Sequence, residues 1–372
     1  MLARLREQEP VSWLPALDGW LVTRRDLAMG VMRDPETFTV EDPRFSTGQV
    51  VGPSMLTLEG AAHSRHRDPF ARPFRLDAVR ERFALPVAAE TDRLIDALVP
   101  AGSSELRRDL AGPLATAAVT HALGLTDAGT DEVLGWYESI VASVTEITAG
   151  RPPTEAGRRG FDSLRAAIEP AMDRAPETSL VAAAAGHAGG LERAEVVSNA
   201  AVLLFGGIET TEGMIANVIA HLLSHPEQLA DVRADPELLA NAIEESLRLE
   251  PAAAVIDRYA TRGTELAGAS IGERELVVVS IAGANRDPAV FPEPDRFDVR
   301  RANAKLHAAF AHGPHVCIGM HLARLEANTA VARLLERLPG LELEPGSSPA
   351  PRGLVFRKPD AVRVRWRGTV PL

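Results

Sequence analysis

The amino-acid sequence predicts a mainly α-helical fold with small β-sheets, arranged as one domain over residues 1–372. From about residue 61 to about residue 250, apolar residues recur at three- and four-residue spacing, which is typical of packed amphipathic helices. From about residue 251 to 372, the pattern changes to short β-type runs around one further helix. No internal repeat or long linker interrupts the chain. We therefore expect a single domain in which a helix-rich core precedes a β-rich region.

The individual elements follow from these patterns. Near the N-terminus, Gly19 to Thr23 has the alternation of a short strand, and Arg25 to Met32 has helical spacing. The helices predicted in the middle of the chain are Leu76 to Leu98, Leu110 to Leu123, Asp131 to Thr148, Phe161 to Met172 and Arg193 to Leu223. Later in the chain, Glu275 to Ile281 and Ala361 to Trp366 are predicted strands, with a helix from about Ile318 to Leu338 between them.

Charge and hydropathy indicate in which part of the cell the protein is expected to lie. The chain has 40 basic and 51 acidic residues, a formal net charge of -11, which disfavours nucleic acid and anionic membranes as partners. No apolar run approaches the roughly 18 residues of a spanning helix. The longest, Ala200 to Ile208, is interrupted by Gly206 and Gly207. The N-terminus becomes charged before a signal-peptide core can form. We expect a cytoplasmic protein that does not cross a membrane.

Cys317 is the only cysteine, which excludes an internal disulfide and a polythiolate metal site. A lone cysteine is most often a small buried apolar residue. Here, however, it lies in the run FAHGPHVCIG, from Phe310 to Gly319, just before a predicted helix. The free N–H groups and the positive dipole end of a helix start favour a thiolate, which is a strong iron ligand.

The other residues of this run suit a flat macrocycle. Gly313 and Gly319 allow turns and a close approach that a side chain would prevent, and Phe310 can limit access of water to the sulfur. A zinc site on His312, His315 and Cys317 is an alternative interpretation, but it lacks an obvious fourth ligand.

The predicted helix Arg193 to Leu223 would be about 45 Å long at 1.5 Å per residue. Its centre contains Gly206 and Gly207, each of which costs about 1 kcal/mol relative to alanine in a helix interior. Two glycines that destabilise a helix without a local structural benefit suggest that the segment has a function. The Thr210 hydroxyl can bond the Gly206 carbonyl and open the helix, leaving a groove for a small ligand. Close packing against a neighbouring helix through small residues is the alternative.

The run that contains Cys317 resembles the haem-binding signature of the cytochrome P450 superfamily, and the Gly-Gly-Ile-Glu-Thr segment resembles its oxygen-activating helix. The resemblance extends in order from about Gly19 to Trp366 and matches the soluble bacterial type. It implies the single-domain cytochrome P450 fold, with haem b (iron protoporphyrin IX) between the long distal helix and the proximal cysteine loop. It also implies that Cys317 is the axial iron ligand and that Gly206 lies beside the haem.

Buried haem propionates need cationic or hydrogen-bonding partners. His63 and Arg67 lie one helical turn apart and resemble the family's His-x-x-x-Arg element. Arg258 and His315 match the family's other propionate contacts. The resemblance therefore implies four propionate partners.

Glu245 and Arg248 form the Glu-x-x-Arg pattern of the family. The loop from Phe291 to Phe297 resembles the segment that completes a buried ion triad with them, and Arg296 is the predicted third member. Because loss of one partner of a buried ion set is strongly destabilising, we expect these residues to serve folding and haem retention rather than catalysis.

The resemblance implies that Glu209 and Thr210 are the acid and the alcohol that relay protons during oxygen activation. The residues that match the family's substrate-contacting segments are Gly207, Ala253, Ala254, Val255, Ile256, Leu354, Val355 and Phe356. They are mostly small or apolar, which predicts a hydrophobic small-molecule substrate.

The implied function is a haem-thiolate monooxygenase that inserts one oxygen atom of O2 into such a substrate, by hydroxylation, epoxidation or a related oxidation. The Ala- and Arg-rich composition suggests natural-product tailoring in a bacterium. A peroxide-driven peroxygenase and a non-catalytic haem-binding accessory or sensor protein are the alternatives. Glu209 and Thr210 argue against the first, and retention of Cys317 together with Thr210 argues against the second.

No flavin or nicotinamide domain is apparent, so we expect electrons from an external ferredoxin and ferredoxin reductase, and a monomeric enzyme. Arg65, Arg72, Arg75 and Arg80 cluster near the predicted clamp helix in an otherwise acidic chain. They can form a basic patch that docks an acidic ferredoxin, or simply a solvated helix face.

Overall fold

The computed structural model describes residues 1–125, 127–148, 150–175, 177, 179–187 and 190–367. The α-helices among these residues are α1 (Leu2–Gln8), α2 (Arg25–Arg33), α3 (Ser46–Val51), α4 (Gly60–Ala71), α5 (Leu76–Leu98), α6 (Gly112–Leu123), α7 (Thr130–Thr148), α8 (Glu155–Met172), α9 (Leu180–Ala185), α10 (Arg193–Ser224), α11 (Pro226–Ala234), α12 (Leu238–Leu249), α13 (Ile281–Ala284) and α14 (Met320–Arg337). The strands are β1 (Val11–Leu14), β2 (Gly19–Val22), β3 (Phe38–Thr39), β4 (Ser103–Glu105), β5 (Val255–Ala260), β6 (Thr264–Leu266), β7 (Ala269–Ile271), β8 (Leu276–Ser280), β9 (Glu342–Leu343), β10 (Pro351–Arg352), β11 (Lys358–Pro359) and β12 (Arg363–Arg365).

The two longest helices among the described residues lie where the sequence predicts them. Helix α5 has the predicted bounds, and α10 ends one residue later than predicted. The segment predicted to start a helix at Leu110 differs, because a π-helical stretch, Arg107–Ala111, precedes α6. Its wider turn interrupts the regular period of 3.6 residues that the prediction assumed.

The largest sheet has the strand order β1-β2-β8-β5-β3. Strands β1 and β2 pair antiparallel, β2 and β8 pair parallel, and β8 and β5 pair antiparallel. On one face of this sheet, Val22, Val277 and Val279 pack into a buried cluster with Val31 and Met32 of α2. This packing fixes α2 beside the sheet, which matters for the cysteine loop described below.

The chain divides into two compact units, each assembled from separate stretches of sequence. Unit 1 comprises residues 1–38, 83–114 and the chain from 209 onwards, and unit 2 comprises residues 39–82 and 115–208. Unit 2 contains α4, α7, α8 and α9, whereas α12 to α14 and nearly all the strands belong to unit 1. Within unit 2, α8 packs closely on α7, since an ideal Cβ on Gly157 would lie 2.3 Å from the Cβ of Ser143.

Helix α10 continues without a break through Gly206 and Gly207, as the prediction of a single helix from Arg193 to Leu223 requires. Within the part of the chain that the structure describes, α10 is the one helix long and apolar enough to cross a membrane. However, 67% of its most apolar 18-residue window is buried inside the protein. Such burial is typical of a core helix, and length and composition are then weak evidence for a membrane span.

Candidate active site

The loop around Cys317 lies in unit 1 and is closed by a backbone hydrogen bond. The N–H of Cys317 donates to the carbonyl of Phe310 over 2.8 Å, and the cysteine is exposed. Helix α14 starts at Met320, two residues later than predicted, with Gly319 at its N-cap position. Cys317 therefore sits just outside the helix start, where the positive end of the helix dipole still favours a thiolate.

Gly313 is the residue of this loop for which only glycine is suitable. Its φ is +76°, and an ideal Cβ would lie 2.2 Å from the carbonyl oxygen of Met32 in α2. Gly319 has an ordinary φ of -85°, so its backbone does not require glycine. The ring of Phe310 lies beneath the guanidinium of Arg324, 4.4 Å from the ring centroid, which fixes the aromatic side chain beside the loop.

Behind the loop, Glu244 of α12 binds two residues that flank the cysteine in sequence. Its carboxylate accepts hydrogen bonds from Arg324 over 2.6 and 2.9 Å, and Nε2 of His307 lies 3.0 Å from Glu244 Oε2. Burial raises the pKa of Glu244, but the hydrogen bonds from Arg324 and His307 outweigh burial and lower the pKa to about 2. The sequence does not predict this network, because no local pattern links α12 to the loop.

The zinc alternative receives no support from the structure. Among the described residues, no group of three or more His, Cys, Asp or Glu side chains is arranged to hold a metal ion. His312 and His315 therefore do not form such a group with Cys317.

The buried ion triad is present, but Arg296 is not its third member. Glu245 binds Arg248 over 2.7 Å and Arg301 over 2.9 Å, and all three side chains are at most 8% exposed. The Arg296 guanidinium is 56% exposed and pairs with Glu293 instead. Only the Arg296 carbonyl faces the triad, where it accepts hydrogen bonds from Arg248 and Arg301. The prediction was wrong because the chain turns between residues 296 and 301 and brings the later arginine inward.

The predicted propionate partners lie on the elements expected of them. In unit 2, His63 and Arg67 are four residues apart on α4, and His63 is 5% exposed. In unit 1, Arg258 is buried on β5, where its guanidinium donates to the Asp257 carbonyl over 2.7 Å. His315 ends the 3₁₀ turn Gly313–His315 and is half-buried. Two partners in each unit thus remain candidates for holding an anionic group.

The two adjacent glycines of α10, both in unit 2, have different surroundings. An ideal Cβ on Gly207 would lie 3.0 Å from Cγ2 of Val119, so this glycine permits close packing against α6. An ideal Cβ on Gly206 would meet no atom within 4 Å. The packing explanation therefore applies to Gly207, while Gly206 borders open space, as a ligand-facing residue would.

In unit 1, Glu209 of α10 belongs to a cluster of charged side chains. Its carboxylate accepts from the ammonium of Lys358 over 2.7 Å, and the same ammonium binds Glu212 over 2.5 Å. Glu212 also accepts from Arg107 over 2.8 Å. Thr210, the next residue along α10, is half-buried. Lys358, Glu212 and Arg107 are not predicted from the sequence, because they are far apart in the chain and match no short motif.

The two segments predicted to contact substrate lie side by side in unit 1. The N–H of Ala254 donates to the Val355 carbonyl over 2.8 Å, and Ala253 forms an isolated bridge with Phe356. Leu354 is 59% exposed and Val355 is 38% exposed at the tip of the hairpin formed by β10 and β11. These apolar side chains are available to a ligand.

The segment that begins at Ala253 is largely committed to the core. Ala254 is 1% exposed, and Val255 packs with Leu21 and Val278 in a buried cluster. Ile256 is half-buried and packs against the buried cluster that contains Val277 and Val279. Of this segment, the half-buried Ala253 is therefore the better candidate for contact with a substrate.

The residues present fit the haem that the sequence resemblance implies. The chain's single cysteine is exposed at a helix start and supplies one sulfur donor, the set expected of a haem-thiolate iron. An ideal Cβ on Gly206, or on Gly319, would meet no atom within 4 Å, so each glycine borders space in its own unit that a side chain would fill. Arg67 and Arg258 supply the cationic groups that propionates need.

Fold and site together define a haem-thiolate class of protein, and comparison with known proteins identifies the family. A family model described as Cytochrome P450 matches residues 171–354. The chain is 36% identical to the cytochrome P450 monooxygenase PikC of Streptomyces venezuelae, over 98% of this chain and 90% of that protein. It is 34% identical to the 20-oxo-5-O-mycaminosyltylactone 23-monooxygenase of Streptomyces fradiae, over 91% and 82% of the two chains. The crystal structure of P450BioI in complex with an acyl carrier protein carrying hexadec-9Z-enoic acid superposes with a TM-score of 0.88 at 27% identity, covering 98% and 97% of the two chains.

The chain belongs to the cytochrome P450 family. It has the cytochrome P450 fold, mostly α with small sheets, and it is a haem b monooxygenase. The predictions of family, fold class, cofactor and enzyme class are confirmed.

Proposed function

We propose that this enzyme inserts one atom of O2 into a hydrophobic natural product in a bacterium, and that the Cys317 sulfur would hold the haem iron. The observation that carries the proposal is the cysteine loop. The only cysteine is exposed, its N–H is held by the Phe310 carbonyl, and α14 starts three residues later. Exposed apolar residues on the hairpin tip, Leu354 and Val355, support a hydrophobic substrate.

Two relatives support a role in natural-product tailoring. One is the mycaminosyltylactone monooxygenase named above, and the other is HmtN, described as a post-tailoring hydroxylase involved in himastatin biosynthesis. HmtN has 29% identity to this chain and a TM-score of 0.85. We propose that this enzyme also acts on a natural product, but not that it acts on the same molecules as these relatives.

Haem, when bound, supplies the iron at which dioxygen is activated. We assign its propionates to His63, Arg67, Arg258 and His315, and its support on the cysteine side to Phe310, Gly313 and Gly319. Gly206 leaves room beside the haem because it carries no side chain. Burial of propionates against cations offsets the cost of removing their charge from water.

The chain's own contribution to the chemistry is proton delivery by Glu209 and Thr210. A carboxylic acid next to an alcohol can pass protons inward from solvent, and general acid catalysis of this kind contributes about 10²- to 10⁴-fold to a rate. Glu209 is 12% exposed and thus retains contact with water. Its pairing with Thr210 favours the monooxygenase over a peroxide-driven peroxygenase or a non-catalytic haem protein.

The proposal includes partners and location. We propose that a ferredoxin and a ferredoxin reductase supply the electrons, and that the enzyme works as a monomeric cytoplasmic domain. Arg72, Arg75 and Arg80 are exposed in unit 2. Arg65 is bound to Glu195 over 2.8 Å, so its charge is largely neutralised and the docking patch consists of the other three arginines.

Spectra of the reduced carbon monoxide complex test the ligand assignment. The wild-type enzyme should give the long-wavelength Soret band of thiolate-bound haem, and Cys317→Ala should lose it. A thiolate-type band that persists in Cys317→Ala would remove this residue from the site. Titration of the holoenzyme with a library of hydrophobic natural products then identifies the substrate class, because a ligand bound beside the haem would change the Soret spectrum. A library in which only polar compounds change the spectrum would contradict the proposed substrate class.

A further inference from the structure

Lys358 is partly buried between two carboxylates, unlike the other lysine of this chain. The sequence contains two lysines, Lys305 and Lys358, among its 40 basic residues. Lys305 is exposed, whereas the side chain of Lys358 is 19% exposed and lies between two carboxylates. Its Nζ is 2.7 Å from Glu209 Oε1 and 2.5 Å from Glu212 Oε2. A single ammonium thus joins the proposed proton-relay acid to a second glutamate one turn further along α10.

Glu212 is held independently of Lys358. Its other carboxylate oxygen accepts from Arg107 over 2.8 Å, and its side chain is 10% exposed. Glu212 is therefore the anchored end of the cluster and Glu209 is the end that Lys358 holds. Since the two acids balance the two bases, the cluster can stay partly buried without an uncompensated charge.

The backbone of Lys358 is also fixed against α10. The carbonyl of the preceding residue, Arg357, accepts from the Asn217 side chain over 3.0 Å, and the Arg357 N–H donates to the Ala252 carbonyl over 2.8 Å. Gly213 allows this approach, because an ideal Cβ there would lie 3.1 Å from Ala252 Cβ and 3.5 Å from Lys358 Cβ. The ammonium therefore reaches Glu209 from a rigid support rather than from a mobile loop.

We propose that Lys358 is a positioning residue for oxygen activation, whose ammonium, anchored by Glu212, holds the Glu209 carboxylate in the orientation from which it delivers protons. This inference rests on the proposed role of Glu209. It also links the proton relay to the β10–β11 hairpin, because the hairpin that carries Lys358 also carries Leu354 and Val355 at its tip. A purely structural ion pair between α10 and β11 is the competing explanation, and it would affect stability alone.

The first test measures the rate of NADPH oxidation by the holoenzyme in the presence of O2, a ferredoxin and its reductase, with no added organic substrate. Lys358→Met should slow NADPH oxidation roughly tenfold, within the 10²-fold that misplacement of a catalytic group can cost. It should also raise the solvent isotope effect, as Glu209→Gln should. Lys358→Arg should restore at least half of the wild-type rate, and Lys305→Met, with the same charge change at an exposed site, should match wild type.

The double variant decides between positioning and a structural role. In the Glu209→Gln background, Lys358→Met should change the rate by less than about twofold, because the group that it positions is already absent. If Glu209→Gln alone matches wild type, the proposed role of Glu209 fails. If Glu209→Gln is slow but Lys358→Met matches Lys305→Met, or slows both backgrounds equally, the inference about Lys358 is overturned while the proposed role of Glu209 stands.

A second readout does not depend on turnover. Brief acetylation of the holoenzyme with an N-hydroxysuccinimide ester, followed by peptide mass spectrometry, reports the reactivity of Lys358 with Lys305 as the internal reference. Glu209→Gln and Glu212→Gln should each raise the relative reactivity of Lys358 about threefold, as expected when one of two weak ion-pair partners is lost. Equal reactivity of Lys358 in wild type and both variants would show that the ammonium is not held by these carboxylates, and would overturn the inference.

Discussion

Gly313 shows how one backbone angle constrains the cysteine loop. At φ +76°, with a Cβ position 2.2 Å from the Met32 carbonyl, a side chain is both strained and obstructed. We predict that Gly313→Ala lowers the free energy of unfolding by roughly 1–3 kcal/mol, measured by urea denaturation. Gly30→Ala in α2 is the control, because an ideal Cβ there meets no atom within 4 Å, and it should not lower the free energy of unfolding. Equal losses in both variants would contradict the argument from φ and obstruction.

Glu244 links the acid stability of the protein to the loop, since it binds both His307 and Arg324. Its pKa in the folded protein, about 2, lies below the ordinary value of 4.5. The carboxylate therefore contributes stability that is fully present above pH 4.5 and is lost as the pH falls towards 2.

We predict that Glu244→Gln lowers the free energy of unfolding at pH 7 by on the order of 3 kcal/mol, and that the difference from wild type shrinks below pH 4.5. Urea denaturation at a series of pH values measures it. Glu237→Gln, at an exposed position just before the same helix, should change stability by less than about 0.5 kcal/mol. A loss in Glu244→Gln that does not depend on pH would contradict the assigned cause.

The segment between α13 and α14 builds the buried triad by turning back on itself, so that Arg301 reaches Glu245 while Arg296 points to solvent. We predict that Arg301→Leu destabilises the protein by about 3–5 kcal/mol, because it leaves Glu245 in a buried site with one cation removed. Arg296→Leu should change stability by less than about 0.5 kcal/mol. Thermal or urea unfolding distinguishes them, and the opposite ranking would restore Arg296 as the third member.

At the scale of elements, the sequence predicts long regular helices well and irregular segments poorly. Long helices such as α5 and α10 are predicted within a residue or two, because a buried apolar stripe must repeat with the helical period. The π-helical stretch Arg107–Ala111 departs from that period, and its wide turn carries Arg107 to Glu212. The residue that completes the triad depends on how a loop folds back, for which local spacing gives no rule.

Across the whole molecule, sequence distance explains which parts of the site were found. Cys317, Glu209 and Thr210 lie in short motifs whose residue types follow from local chemistry. Lys358 joins Glu212 across 146 positions, and Arg107 joins it across 105. Contacts of that separation arise only when distant stretches are assembled into one unit, which no local pattern specifies.

The distribution of charge on the molecule predicts where a ferredoxin docks. In a chain of net charge -11, the exposed residues Arg72, Arg75 and Arg80 form a local excess of positive charge beside α4 and at the start of α5. An acidic ferredoxin is attracted to such a patch, and steering of this kind raises association rates most strongly at low ionic strength. Replacing all three with glutamate should therefore raise the KM for ferredoxin roughly tenfold or more in low salt, with a smaller effect in high salt.

A matched control tests whether the position of the charges matters, rather than their sum. Arg158, Arg159 and Arg165 lie exposed on α8, and their replacement by glutamate causes the same change in net charge. If ferredoxin docks on the patch formed by Arg72, Arg75 and Arg80, this control should shift the KM by less than about twofold, because salt screens surface charges that lie outside the docking site. If both triple variants raise the KM equally, overall charge rather than a defined patch governs docking, since the control changes the net charge by the same amount on a different helix, at arginines that pair with Glu155 and Asp162.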